Sequence, residues 1–347
     1  MNVKTWTWPR RQAIGLAAVI LCLALFGGGQ FYDPRVLATF IVVGLFVFFV
    51  GMVLLVINHS PLVVGLFAPY YIAITLSVAA NRDIFPVTIG RWAIFAIFLM
   101  VIVFTYHGLD RGTTRQAFYL AASVWPGVLL LAWPLGWQDN SNIIAAWSMI
   151  FVVISLTGFS WKIFLVNLLL LIWLNSQGAI LGAIVAVLVM IQARSWPRVN
   201  TKTVVAYSLA GFSILVGFIA WQPRSAWVRF NYWQHAFGAF LSSPIFGIGP
   251  GGLKALQLIP EPGGGYQVHA HNLLVSTTAE LGLVGLAAVA ITIYLISRCR
   301  WSITRWQLAI TAGLLAHSMV DEPLWWPGPL LALAIVIGSI KCYPRLG

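Results

Sequence analysis

Apolar residues fill this chain in blocks near 12–29, 36–57, 61–80, 89–106, 116–136, 142–158, 161–175, 177–193, 203–221, 281–297, 305–320 and 326–341, with brief polar breaks between most of them. Such blocks predict membrane helices, which span a bilayer comfortably at about 20 residues. Twelve are predicted, several of them shorter than that. Lys4 to Arg11 followed by an apolar run to Gly27 reads as an uncleaved first helix, because many further spans follow and no clear small-x-small cleavage site appears. One polar excursion, from about residue 222 to 280, is far longer than the other breaks. The predicted fold is therefore all-α and polytopic. Membrane helices occupy 1–221, an external loop with interfacial helices occupies 222–280, and membrane helices return over 281–347.

Composition agrees. Of 347 residues 60% are hydrophobic and 8% charged, with a mean hydropathy of +0.90, whereas a soluble fold carries roughly 25% charged residues. The net charge of +12 would suggest nucleic acid in a soluble protein. Here topology accounts for it. With twelve spans the termini share one side, and that side collects most of the Lys and Arg, among them Arg10, Arg111, Arg115, Lys162, Arg305 and Lys341. The excess makes the termini cytoplasmic, and no nucleic-acid partner is needed. Asp33, Asp83, Asp139, Glu261, Glu280, Asp321 and Glu322 fall at or near the outer side. Cys22, Cys299 and Cys342 show no metal or redox spacing.

Within the excursion, Arg229, Trp233 and Phe237 recur at helical spacing, which predicts an interfacial helix. Its arginine is either snorkelling in an aromatic belt or gripping a lipid phosphate bidentately. The run Gly247-Ile248-Gly249-Pro250-Gly251-Gly252 fits the dinucleotide fingerprint in letters only. No βαβ unit surrounds it, and Pro250 sits inside the turn. It specifies a tight backbone, as a plain loop or as a ligand contact. His269 and His271 lack a nearby third His or Cys, so no metal is expected. A neutral imidazole acting as a base on a hydroxyl fits better, beside a purely structural role. His317, Asp321 and Glu322 end the eleventh block. Ionisable groups at membrane depth usually line an aqueous cavity, so these three are expected to face the outer vestibule or to pair with an external arginine.

The order Arg229, Trp233, Gly247-Ile248-Gly249-Pro250-Gly251, His271-Asn272 and Glu280-x-Gly282-x-x-Gly285 resembles the O-antigen ligase and polymerase superfamily. His317-Ser318-Met319-Val320-Asp321-Glu322-Pro323-Leu324-Trp325 looks like the tail motif of its protein O-oligosaccharyltransferases. The match covers residues 222 to 330. It implies a bacterial inner-membrane glycosyltransferase with no cofactor, acting on the periplasmic side. A glycan would pass from a polyprenyl diphosphate donor to an acceptor hydroxyl on lipid A core, a growing glycan or a protein. Arg229 would hold the diphosphate and His271 would be the base. Substrate contacts are expected from Arg224, Trp233, Gly249, Gly251, Lys254, Asn272, Gln177, Glu280, His317 and Glu322. The family commonly has Ser-Arg-Gly at the outer start of a mid-chain helix, where this chain has Ser176-Gln177-Gly178. Gln177 donates hydrogen bonds but carries no charge. The diphosphate then rests more on Arg229, with Arg224, Lys254 or Arg91 as substitutes.

Two other classes compete. A transporter of lipid-linked sugars would place polar sites near the midplane, often on repeated halves, and no repeat is visible here. A non-catalytic scaffold would leave the Arg and His residues unexplained.

Overall fold

A computed structural model describes residues 8–26, 61–132, 141–157, 160–192, 223–262 and 264–344. Its helices are α1 (Trp8–Phe26), α2 (Pro61–Ala80), α3 (Phe85–Gly108), α4 (Arg111–Ala132), α5 (Ser141–Thr157), α6 (Trp161–Trp173), α7 (Gln177–Gln192), α8 (Pro223–Ser242), the single turn α9 (Gly252–Ala255), α10 (Leu273–Arg298), α11 (Arg305–His317) and α12 (Pro327–Gly338). A short antiparallel ladder, β1 (Cys299–Ser302) with β2 (Lys341–Pro344), and an isolated bridge between Pro260 and Tyr266 depart from an otherwise helical fold among the described residues. The expected spans at 36–57 and 203–221 lie outside them.

Two of these helices, over Val87–Gly108 and Leu273–Ile296, are long and apolar enough to cross a membrane. Shorter apolar helices occupy Arg11–Ala24, Gly65–Ala80, Ser141–Thr157, Trp161–Trp173, Gln177–Gln192 and Pro327–Gly338. Twelve full spans are therefore not what the described helices display.

Local chemistry sets several starts. Asp110 accepts the Thr113 backbone N–H at 2.9 Å ahead of α4, and Thr304 and Gln307 form a capping box on α11. Asn272 accepts the N–H groups of Leu274 and Val275 at 3.0 and 3.1 Å, which starts α10 eight residues before the apolar block at 281. α5 is buried on every side from Ile143 to Ser155, as expected of a helix at the centre of a bundle. α7 and α11 run antiparallel in close contact, because Gly182 and Gly313 leave each other's backbone room: a Cβ on Gly182 would lie 2.6 Å from the Gly313 carbonyl oxygen.

The expected boundary at 280/281 falls at a kink inside α10. Gly282 takes φ 62° and ψ −155° and splits the helix. The glycine-rich run fills the break. Leu283 and Val284 donate to the carbonyls of Pro244 and Ile245, while Ile248 and Gly249 donate to those of Ala279 and Glu280, at 2.8 to 3.1 Å. Ser77 Oγ reaches the Phe246 and Glu280 carbonyls. The kink thus costs few hydrogen bonds, because another stretch of chain supplies them.

Gly247 has φ 67°, and a Cβ there would lie 2.3 Å from the Glu280 backbone. Gly247→Ala should lower stability by about 1–3 kcal/mol. Gly238→Ala, where a Cβ meets nothing within 4 Å, should be neutral or slightly stabilising. Thermal unfolding in detergent checks both.

Candidate active site

α8 buries Tyr232, Ala236 and Ala239 against the protein. The anticipated common face of Arg229, Trp233 and Phe237 is divided as a result. Arg229 and Trp233 bond to neighbouring chain, while Phe237 is 57% exposed. Arg229 Nε donates to the Val320 carbonyl at 2.6 Å, and its Nη1 donates to Ser225. Trp233 Nε1 donates to the Ala270 carbonyl at 3.0 Å.

Five consecutive residues, Ser318 to Glu322, receive the rest. The Ser318 carbonyl accepts the Leu273 N–H at 2.8 Å, the Met319 carbonyl accepts Asn272 Nδ2 at 2.7 Å, and the Val320 carbonyl accepts Arg229. Asp321 Oδ1 lies 2.9 Å from His271 Nδ1. Glu322 Oε2 accepts Ser276 Oγ at 2.6 Å. Arg229 and His271 are thereby tied to adjacent residues of one turn. His271 also stacks on Tyr232, ring centroids 5.6 Å apart, and holds φ 55°, a left-handed conformation that a side chain other than glycine rarely adopts. Its Nε2 faces Gln267 Oε1 at 3.3 Å.

The charges sort by surroundings. Burial would push the Asp321 carboxyl up, but the His271 hydrogen bond and the neighbouring histidines hold it below the usual range, so it stays ionised. Burial, with Glu280 and Asp321 nearby, pushes Glu322 well up. Burial holds His269 well below an ordinary imidazole. His269 Nδ1 accepts the His271 backbone N–H at 3.1 Å and lies 3.4 Å from Glu322 Oε2. That geometry suits a neutral imidazole beside a protonated carboxyl. Arg229 is pulled down by burial and pushed back up by Asp321.

Several expected contacts sit elsewhere. His317, Asp321 and Glu322 are 0, 4 and 4% exposed; they are buried under the site and do not face an open vestibule. His317 packs on Gly178, where a Cβ would come within 2.4 Å of its ring, and its Nε2 is 4.0 Å from Asp321. This places Gln177, whose Oε1 is buried without a hydrogen bond, at the helix end beside His317. Gly249 and Gly251 are buried against Thr88 and Val87, so the glycine run is fitted to protein and not open to a ligand. Glu280 is buried too, its carboxylate toward the backbone of Gly251 and Leu253. Asn272 caps a helix. Lys254 Nζ closes its own loop on the Tyr266 carbonyl at 2.6 Å. Arg224 is exposed on the first turn of α8. Arg91, a proposed substitute for the missing arginine, is 4% exposed, lies over the Trp325 ring and donates to the Trp325 carbonyl at 2.6 Å.

Sequence spacing left the His269–His271 pair without a third donor. The fold brings Asp321 from fifty residues away, and one donor atom from each of the three lies within 4.8 Å of the others. Tyr232, Gln267 and Asp321 are the neighbours of His271 that sequence reasoning missed as a set. Only the His317-to-Glu322 cluster hinted at one of them.

The stretch that holds Gln177, Arg229, His271 and Glu280 is also where the chain meets a known family: residues 162–290 match the family model described as O-antigen ligase. Over this stretch the chain is similar to the O-antigen ligase family. The family is one of membrane glycan transferases of the ligase or polymerase kind. No curated protein and no solved structure matches the chain. Asp321 and the turn that bears it lie outside the matched O-antigen ligase stretch, yet they hold its arginine and histidine.

Asp321→Asn should keep the shape but cut glycan transfer by about 10²–10⁴-fold, since an amide cannot stabilise an imidazolium as a carboxylate does; initial rates in detergent check this. For Glu322 the raised pKa means that the fold favours the protonated form. Its stabilisation is full below the ordinary carboxyl pKa and is lost as pH rises through the raised value. Glu322→Gln should therefore flatten the fall in unfolding temperature as pH rises above the ordinary carboxyl pKa, measured on purified protein.

Proposed function

We propose that this protein is a glycosyltransferase of the O-antigen ligase type. It moves a glycan from a polyprenyl diphosphate carrier to an acceptor hydroxyl at the periplasmic face of the bacterial inner membrane, with its termini in the cytoplasm. The observation that carries the proposal is the attachment of Arg229 and His271 to the adjacent residues Val320 and Asp321 in a chain with an O-antigen ligase match.

The chemistry runs as a single in-line displacement. Asp321 holds the Nδ1 proton of His271, which leaves Nε2 as the basic nitrogen. The acceptor O–H gives its proton to Nε2 while its oxygen forms a bond to the anomeric carbon. The bond from that carbon to the diphosphate oxygen breaks, its electron pair stays on the diphosphate, and the configuration inverts. Arg229 would stabilise the charge that develops there. Once protonated, the imidazole has an acceptor on each side, Asp321 Oδ1 and Gln267 Oε1. Gln177 would add a hydrogen bond but no charge. In this scheme the guanidinium does the charge work that a divalent ion performs in other transferases.

An apolar cavity of about 190 Å³ lined by Phe67, Tyr70, Phe95, Phe98 and Leu324 supports a lipid-borne donor. It shares Tyr70, Phe95 and Leu324 with a smaller cavity reaching Glu280, Glu322 and Arg91, and is suited to isoprenoid units entering from the hydrocarbon.

Purified protein incubated with a lipid-linked repeat unit should glycosylate lipid A core in one step and keep doing so in EDTA. Arg229→Ala should abolish transfer and His271→Ala should reduce it to a small residual rate, each leaving the protein in the membrane. A ladder without added acceptor would make it a polymerase, and modification of a pilin hydroxyl alone a protein transferase. Movement of unaltered lipid-linked sugar between leaflets would replace catalysis with transport. Loss of turnover in EDTA that added metal restores would overturn the metal-free scheme.

A further inference from the structure

The site occupies one end of the antiparallel pair α7 and α11, where Gln177 starts the first and His317 ends the second. At the other end lies a cavity of about 590 Å³ lined by Arg111, Arg115, Leu156, Met190, Arg305 and Trp306, with Gly112, Thr157, Ile191 and Thr304 completing it. Met190 is 13 residues beyond Gln177, and Arg305 is 12 before His317. At 1.5 Å per residue the cavity is roughly 20 Å from the candidate active site along the helices, so it is not part of the donor site.

Its chemistry is two-sided. Leu156, Met190, Ile191 and the buried Trp306 form an apolar floor. Three guanidiniums stand at the walls, and Arg115 and Arg305 are exposed. Asp110, whose Oδ1 lies 3.0 Å from where a Cβ on the lining Gly112 would sit, is committed to Thr113. Among the described residues, three lining guanidiniums and Asp110 give 3 − 1 = +2. Two helix starts there are already capped, α11 by its capping box and α4 by Asp110, and α5 and α7 reach the cavity with their C-terminal turns, so the attraction for an anion comes from the guanidiniums and not from helix ends. Arg111 is also held in place, donating to Ser302 Oγ at 2.9 Å. Arginine is suited to phosphate because its planar fork pairs with two oxygens. A basic cavity with an apolar floor, at the end of a membrane bundle, matches a phospholipid whose head is anionic and whose first methylenes stay against protein.

We propose that this cavity binds the phosphate headgroup of an anionic phospholipid, with the acyl chains leaving along Leu156, Met190 and Ile191. A free phosphate would use the same arginines but would leave the apolar floor unfilled. The orientation proposed above puts this lipid in the cytoplasmic leaflet, but its recognition does not depend on the enzymatic reading.

Native mass spectrometry of the purified full chain in nonionic detergent tests the idea, with phosphatidylglycerol, phosphatidylcholine or inorganic phosphate added. Phosphatidylglycerol should be retained about tenfold or more over phosphatidylcholine, in line with roughly 1 kcal/mol per basic residue at an anionic surface. The Arg115→Gln/Arg305→Gln variant should lose that preference, while Arg115→Lys/Arg305→Lys keeps part of it, since the charge remains and the fork is lost. Rising salt should weaken the wild-type preference, a readout that needs no variant. Equal retention of the two lipids, or an unchanged preference in the Gln variant, would overturn the proposal. So would inorganic phosphate displacing phosphatidylglycerol at matched millimolar concentration, which would make this an anion site and not a lipid site. Glycan transfer plays no part in the readout, so failure here is separable from failure of the enzymatic proposal.

Discussion

The backbone from Ser318 to Glu322 accepts hydrogen bonds from Leu273, Asn272 and Arg229 on consecutive carbonyls, and its two carboxylates engage His271 and Ser276. A turn that leaves a helix end has unpaired carbonyls, and here the excursion supplies the donors. The satisfaction is mutual. Without the turn, the start of α10 would lose its Asn272 tether and Arg229 its anchor; without those donors, the turn would carry buried unpaired oxygens. The positions of the histidine and the arginine follow from the need to pair polar backbone in a largely apolar bundle.

The same constraint explains the two carboxyls. Asp321 and Glu322 are neighbours, equally buried, and their pKa values are pushed in opposite directions. Asp321 faces His271, with His317 and Arg229 nearby, and gains from being charged. Glu322 faces the Ser276 hydroxyl and a neutral His269, with Glu280 near, and gains from keeping its proton. Two adjacent acids with pKa values pushed apart are a common way to assign distinct roles to one residue type. Of the two, Asp321 is the one in contact with the His271 ring.

The membrane character of the chain was legible because composition and block length need no tertiary information. The helix ends were legible where a local device sets them, as with Thr304 and Gln307. The α10 start was not, because Asn272 caps a polar first turn that hydropathy assigns to the loop. The glycine run read as a tight backbone, which it is, but its partner is the break at Gly282; no spacing rule links residues 247 and 282. The face of α8 was misjudged because aromatic spacing cannot show which stripe meets protein: Tyr232, Ala236 and Ala239 do, and Phe237 does not. The partner of His271 lies fifty residues away across a helical hairpin, which periodicity does not reach. Gln177 in the place of a family arginine was visible in the sequence. What the fold adds is its position beside His317, whose ring nitrogens also lack hydrogen bonds, so this corner of the site offers polar atoms without a fixed charge.

The most direct test of this account is a double-mutant cycle on transfer rate, comparing His271→Ala, Asp321→Ala and the pair under conditions where residual turnover is measurable. If Asp321 acts only through the imidazole, the double variant loses no more than His271→Ala alone, and the two losses are strongly non-additive. Losses that multiply independently would show that the carboxylate and the imidazole do not work as one unit, and the arrangement described for the turn would not be the catalytic one.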